Sequence, residues 1–206
     1  MHIEILSDTQ KNLLPYIAQF KRTFYLVGGT ALSLQIGHRK SIDFDLFTYK
    51  TTLNKKPIRQ KLDKVPFPKR LLFEDTDQLH LNIAGVKTTF FAYPYQIPHL
   101  ENFNNVITMP SILEISAMKA FALGRRAKWK DYVDLYFVLK NFHSLQEIVV
   151  KTNQLYGEGL FSENLFRKQL SFHKDIDFTE EVEYLPGYAV DEQEVKDFLT
   201  EQALSI

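Results

Sequence analysis

The hydrophobic pattern changes period near residue 110, with short runs and alternating stretches before it and helical spacing after it. Ser7 or Asp8 can cap a first helix, and Leu13, Leu14, Ile17, Ala18 and Phe20 supply its apolar stripe. Phe24 to Val27 reads as a short buried strand stopped by Gly28 and Gly29. A brief helix over Thr30 to Gln35, ended by Gly37, follows. Ser41 to Phe47 then alternates, with Ile42, Phe44 and Leu46 on one face and Asp43, Asp45 and Phe47 on the other. This predicts a strand carrying two carboxylates on one side.

Lys55 to Lys64 suits a polar surface helix, and Arg70 to Glu74, Gln78 to Ile83 and Val86 to Ala92 read as strands. Gly85 sets a hairpin between the last two. Pro94 and Pro98 end the strand region, and Asn102 to Asn105 reads as a linker. Beyond it Ser111 and Glu114 form a capping-box signature, and further helices fit Asp131 to Asn141, Leu145 to Tyr156, Glu163 to Phe172 and Glu192 to Gln202. The fold class expected is α+β, a mixed sheet with flanking helices followed by a mostly helical half. The domains expected are 1–105, an α/β core, and 106–206, a helical region completing a cleft.

Composition narrows the function. The chain has 206 residues and no cysteine, which removes disulfide frameworks, Cys-based zinc sites and thiol nucleophiles. No apolar run reaches the roughly 18 residues of a membrane span, and the N-terminus lacks the pattern of a secretory signal, so a cytoplasmic location is expected. Net charge is zero, yet residues 1–140 hold 20 basic and 12 acidic groups and residues 141–206 hold 5 and 13. Lys50 to Arg70 and Lys119 to Lys130 are basic runs, and Asp175 to Glu201 contains ten acids. Two solvated surfaces of opposite sign, or a basic face for phosphates, both fit.

The chemistry concentrates in one order of residues: strand, Gly28-Gly29-Thr30, short helix, then Asp43-x-Asp45. Glycines after a strand let amide groups and a helix N-terminus approach an anion such as a triphosphate. Two carboxylates at i and i+2 on a strand repel each other unless a cation sits between them, and Mg²⁺ accepts such hard oxygen ligands. Gly-Gly can equally be a turn, and Asp-x-Asp the wet face of an edge strand. The histidines have no metal-ligand spacing, and no Gly-x-Ser-x-Gly or P-loop pattern occurs.

The segment Val27 to Phe47 closely resembles the signature of the AbiEii/AbiGii-type toxin nucleotidyltransferases, within the DNA polymerase β-like superfamily. A second matching block holds Met118-Lys119-Ala120-Phe121-Ala122, Arg125-Arg126 and Lys130 to Leu135. The resemblance implies a polymerase-β-like core in which Gly28, Gly29 and Thr30, with Arg39 and Ser41 in the stretch before the carboxylates, bind the nucleotide, and Asp43 and Asp45 bind the metal. It also implies that Lys119 is a partner for phosphate charge and that Asp131, the acid of a Lys-Asp motif, orients a metal, a basic residue or the attacking hydroxyl. Lys119 also fits a side chain that reaches solvent from an apolar edge, and Asp131 one stabilised by the start of its helix.

The implied function is Mg²⁺-dependent transfer of an NMP from an NTP to an acceptor, a tRNA 3′ end foremost, by the toxin of a toxin–antitoxin pair. A cognate antitoxin and RNA held by the two basic runs are the implied partners. One departure is that the strand expected to add a third carboxylate offers Thr88 or Thr89, with Glu74, Asp75, Asp77 and Asp131 as substitutes. That leaves open a nucleotide- or protein-binding module without efficient catalysis, and transfer to a small molecule or protein.

Overall fold

A computed structural model of the chain describes residues 1–123, 125–157 and 159–205. It divides into two compact units, Met1–Ser111 and Ile112–Ile206.

In the first unit, helix α1 (Asp8–Ile17) starts at Ser7, whose side chain and that of Gln10 form a capping box, and one 3₁₀ turn, Ala18–Phe20, continues it. Strand β1 (Tyr25–Val27) runs directly into helix α2 (Gly28–Ile36). The two glycines are therefore the first helical turn, where a loop is expected from sequence. Strand β2 (Phe44–Tyr49), helix α3 (Lys55–Leu62) and strands β3 (Lys69–Glu74), β4 (Gln78–Ile83) and β5 (Val86–Tyr93) complete the core, and β4 and β5 join at the expected hairpin.

The sheet order is β1-β2-β5-β4-β3, parallel only between β2 and β5. Paired residues share a face, so the register sorts the side chains. Phe44, Leu46, Leu79, Leu81, Phe90 and Ala92 are buried on one face, where the rings of Phe20 and Phe24 meet Phe90 at 4.8 and 5.3 Å. Asp45, Thr89 and His80 follow one another across the opposite face.

Two expectations fail locally. Ile42, placed by alternation on the buried face, is 70% exposed, because β2 begins only at Phe44 and both Ile42 and Asp43 precede it. Asn102 to Asn105 is no linker: β6 (Glu101–Phe103) and β7 (Ile107–Met109) form an antiparallel hairpin whose turn places Asn104 and Asn105 at positive φ. Asn tolerates that conformation, so the Asn pair marks a tight turn between two short strands.

The second unit holds helices α4 (Ile112–Leu123), α5 (Trp129–Asn141), α6 (Leu145–Tyr156), α7 (Glu163–Ser171) and α8 (Glu192–Leu204). Phe121 of α4 stacks on Tyr156 of α6 at 3.7 Å, and Tyr132, Val133, Leu135, Tyr136 and Val138 of α5 are buried. Between α7 and α8 the chain returns to the start of α5, where Trp129 N donates to the Asp177 carbonyl (3.0 Å) and Asp177 N to the Ala127 carbonyl (2.7 Å).

Candidate functional site

Helix α2 begins straight from a strand, and its N-cap, Val27, has no side chain that can cap the first amides. Its N-terminal end is thus an uncapped, electropositive turn. The Asp45 carboxylate stands against it. A Cβ added to Gly28 would lie 2.6 Å from Asp45 Oδ2, and Gly28 has φ +73°, so both space and backbone require glycine there. A Cβ on Gly29 would lie 2.5 Å from Arg39 Nη2 and 3.3 Å from Ser41 Oγ. The glycines, Arg39, Ser41 and Asp45 close on one point.

The segment between α2 and β2 is fixed from within. The Thr30 hydroxyl donates to the Asp43 carbonyl and lies 2.8 Å from Ser41 Oγ, while buried Gln10 donates from Nε2 to the Ser41 carbonyl (2.9 Å). Arg39 is buried, and its Nη1 donates to the Lys40 carbonyl (2.9 Å). Thr30, expected at the phosphates, is itself buried and uses its hydroxyl on this loop. Gln10 was not anticipated, although its place three residues after Ser7 in a capping box is a readable signal.

Asp45 pairs with Thr89 across the parallel strands, so of the two threonines Thr89 shares the face of Asp45, while Asp43 lies before the strand. Thr88 points to the core, where its hydroxyl meets no hydrogen-bonding group among the described residues. Of the substitutes named from sequence, Glu74 is held by Lys55 (3.5 Å) and Arg59 (2.6 Å), and Asp75 accepts from Thr76 N (2.6 Å). The residue beyond Thr89 is His80, which the sequence did not single out. Burial and Lys87 hold its imidazole below the ordinary range, against the pull of Asp45 and Asp77. Asp45, a half-buried hard oxygen donor beside an electropositive helix start, and half-buried Asp43, whose backbone Thr30 holds, are of the chemistry that fits a divalent cation shared with phosphate oxygens and water.

In the second unit Lys119 and Asp131 do come together. Lys119 Nζ lies 2.6 Å from Asp131 Oδ1 and 2.6 Å from Asp134 Oδ2, and Arg126 Nη2 is 3.4 Å from Asp131 Oδ2. Lys119 is 6% exposed and the two aspartates 1% and 0%, so the lysine ends in a buried ionic cluster and does not reach solvent along an apolar edge. Burial works to raise the Asp131 carboxyl, but Lys119 and Arg126 hold it below the usual carboxylate range. Asp134 is the member that spacing alone did not identify, although it sits one turn from Asp131 on α5. The other cations of this basic run are also engaged: Arg125 stacks over Phe121 at 4.2 Å, and Lys128 and Lys130 both bind Glu180.

Residues 16–66, which span β1, α2 and β2, match the family model of the AbiEii toxin, a nucleotidyl transferase of type IV toxin–antitoxin systems. An uncharacterized protein of Aquifex aeolicus is 34% identical over 156 residues, covering 74% of each chain. Among solved structures, a nucleotidyltransferase toxin of Mycobacterium tuberculosis, MenT4, superposes with TM-score 0.60 at 14% identity, over 96% of this chain and 81% of that one. A Helicobacter pylori protein described as a putative nucleotidyltransferase gives TM-score 0.57 at 16% identity over 95% and 92%. At these identities the solved structures share the fold.

Proposed function

The chain belongs to the AbiEii family of nucleotidyl transferase toxins, and from that premise we propose that it transfers an NMP from an NTP to an RNA acceptor, a tRNA 3′ end foremost, with Mg²⁺ as cofactor. The observation that carries the reading is the convergence of Gly28, Gly29, Arg39, Ser41 and Asp45 at the uncapped start of α2.

In this reading the amides of the first α2 turn receive the phosphate oxygens, and the missing side chains at Gly28 and Gly29 let them approach. Arg39 and Ser41 complete the nucleotide contact, and Thr30 holds the Asp43 backbone in place. Asp43 and Asp45 would hold Mg²⁺, which supplies charge stabilisation to the phosphoryl group under transfer. Lys119 and Asp131, which the family resemblance places with phosphate charge and the attacking hydroxyl, are proposed to act through the buried cluster of the second unit, where Asp131 and Asp134 fix the position of the lysine. The basic run Lys50 to Arg70 would attract the acceptor backbone; the run Lys119 to Lys130 has less charge to offer, since its cations are matched inside the second unit. A cognate antitoxin is the protein partner that the family suggests.

The test is incubation with total RNA, Mg²⁺ and each α-labelled NTP in turn. Label should enter RNA for at least one NTP with the wild type and fall by at least a hundredfold with Asp45→Asn, whereas transfer by Asp45→Asn at the wild-type rate refutes the assignment. A second reading, nucleotide binding without efficient transfer, has one observation in its favour: Thr89, with no carboxylate, stands opposite Asp45. It predicts NTP binding with no pyrophosphate release.

A further inference from the structure

A hollow of about 560 Å³ lies in the first unit at the far end of β2. It is lined by residues 21–25, by Thr48 and Tyr49, and by residues 96–100. Tyr49 is four residues beyond Asp45 on the strand, which at ~3.3 Å per residue is about 13 Å away. The lining shares no residue with the glycine and carboxylate cluster, although Tyr25 stands two residues before Val27, the partner of Asp45, and the hollow lies in the size range of small-molecule sites.

Its chemistry is one-sided. The lining holds Lys21 and Arg22 and no carboxylate. Lys21 Nζ donates to the Asn105 carbonyl (3.1 Å), while exposed Arg22 meets no acidic side chain among the described residues. At the rim Tyr49 is 58% and Leu100 91% exposed, large apolar surfaces left in water. Within the lining, Tyr25 stacks on the imidazole of His99 at 4.4 Å with the rings 5° from parallel. Tyr25 is 2% exposed, and among the described residues its buried hydroxyl has no hydrogen-bonding partner. Buried phenol hydroxyls ordinarily have one. A smaller hollow of about 110 Å³ shares Thr23, Phe24 and Thr48 and continues toward Lys50 and Lys61.

Exposed aromatic surface beside unpaired positive charge, with no carboxylate to repel an anion, is the combination that binds nucleotides by stacking and backbone attraction. We propose that this hollow is a nucleotide-binding site: a base packs on Tyr49 and Leu100, and a phosphate lies against Arg22 and Lys21. The nucleotide comes either from single-stranded RNA or from a free mononucleotide. The inference concerns binding alone and stands apart from the transferase reading.

The test is fluorescence anisotropy with a labelled six-nucleotide single-stranded RNA, and calorimetry with AMP, on the full chain and on Tyr49→Ala and Arg22→Ala. Both substitutions are at exposed side chains and leave the fold alone. RNA affinity should fall roughly tenfold in Tyr49→Ala, within the range for loss of one stacked base, and the slope of log affinity against log salt should shrink by about 0.7 in Arg22→Ala. Losses confined to RNA assign the site to a strand; losses confined to AMP assign it to a free nucleotide. The inference is overturned if neither ligand binds, or if both bind the variants as they bind the wild type. Failure of the transferase reading shows elsewhere, as absence of label transfer by the wild type.

Discussion

Lys119→Met removes the one ammonium between Asp131 and Asp134, each 2.6 Å away, and leaves two carboxylates that are 1% and 0% exposed. Arg126, 3.4 Å from Asp131 and 55% exposed at its side chain, compensates weakly and only for one of them. Taking one partner from a buried ion pair costs about 3–5 kcal/mol, because the remaining charge has neither water nor a counterion. Against a total stability of about 5–15 kcal/mol that is a large share, and for a chain of this length it corresponds to a fall in Tm of roughly 6–20 °C. The single tryptophan, Trp129, is buried at the start of α5, so its fluorescence reports on this unit. The penalty should also depend on pH. In the wild type Lys119 holds the Asp131 carboxyl low against burial, so its contribution is present above pH 3.8 and is lost as pH falls through the lowered value. In the variant burial acts unopposed by Lys119, the carboxyls take up protons at higher pH, and acidification narrows the gap between the two proteins. A variant melting within about 2 °C of the wild type at pH 7 (about 1 kcal/mol or less), with the same pH dependence, would refute the reasoning.

Three further outcomes follow from the geometry. Gly28→Ala puts a Cβ 2.6 Å from Asp45 Oδ2 at φ +73°, whereas Gly85→Ala, at φ +92°, meets nothing within 4 Å. Both should lose about 1–2 kcal/mol to backbone strain, but only Gly28→Ala should also abolish label transfer. Thr30→Val deletes the hydroxyl that holds the Asp43 carbonyl, and thermal unfolding should show a loss of about 1–3 kcal/mol with weakened NTP binding. Burial works to raise the Glu180 carboxyl, yet Lys128 and Lys130 hold it down at about 2, so it stabilises the fold above pH 4.5 and loses that effect as pH falls toward 2. In Glu180→Gln the slope of stability against pH across that window should flatten.

The sequence was most legible where a period or a motif repeats a physical demand. The helices of the second unit follow the 3.6-residue spacing of their buried residues, and the glycine pair and Asp43-x-Asp45 stand in the order in which the fold brings them to α2. Legibility ended where long-range pairing decides. Alternation put Ile42 inside, but the chain enters the sheet only at Phe44, and the loop before it answers to Thr30 and Gln10. Which threonine faces Asp45, and that His80 comes next to it, are facts of register between three strands, and no local pattern carries them. The same holds for Asp134, whose value lies in a lysine one helix away.

Charge shows the difference most clearly. Cut by sequence at residue 140, the chain is strongly divided; cut at the boundary of its compact units, Met1–Ser111 holds 14 Lys and Arg against 9 Asp and Glu, and the excess is milder. The acids of the tail do not simply form an opposing surface, because Glu180 neutralises Lys128 and Lys130 and Glu194 pairs with Lys140 (3.0 Å) inside their own unit. In the first unit Arg22 is exposed and meets no carboxylate among the described residues. Because attraction of a nucleic acid grows with each phosphate neutralised, Lys128→Ala should leave the salt dependence of RNA binding unchanged, whereas Arg22→Ala should reduce it. Equal effects of the two substitutions would return the basic role to the second unit.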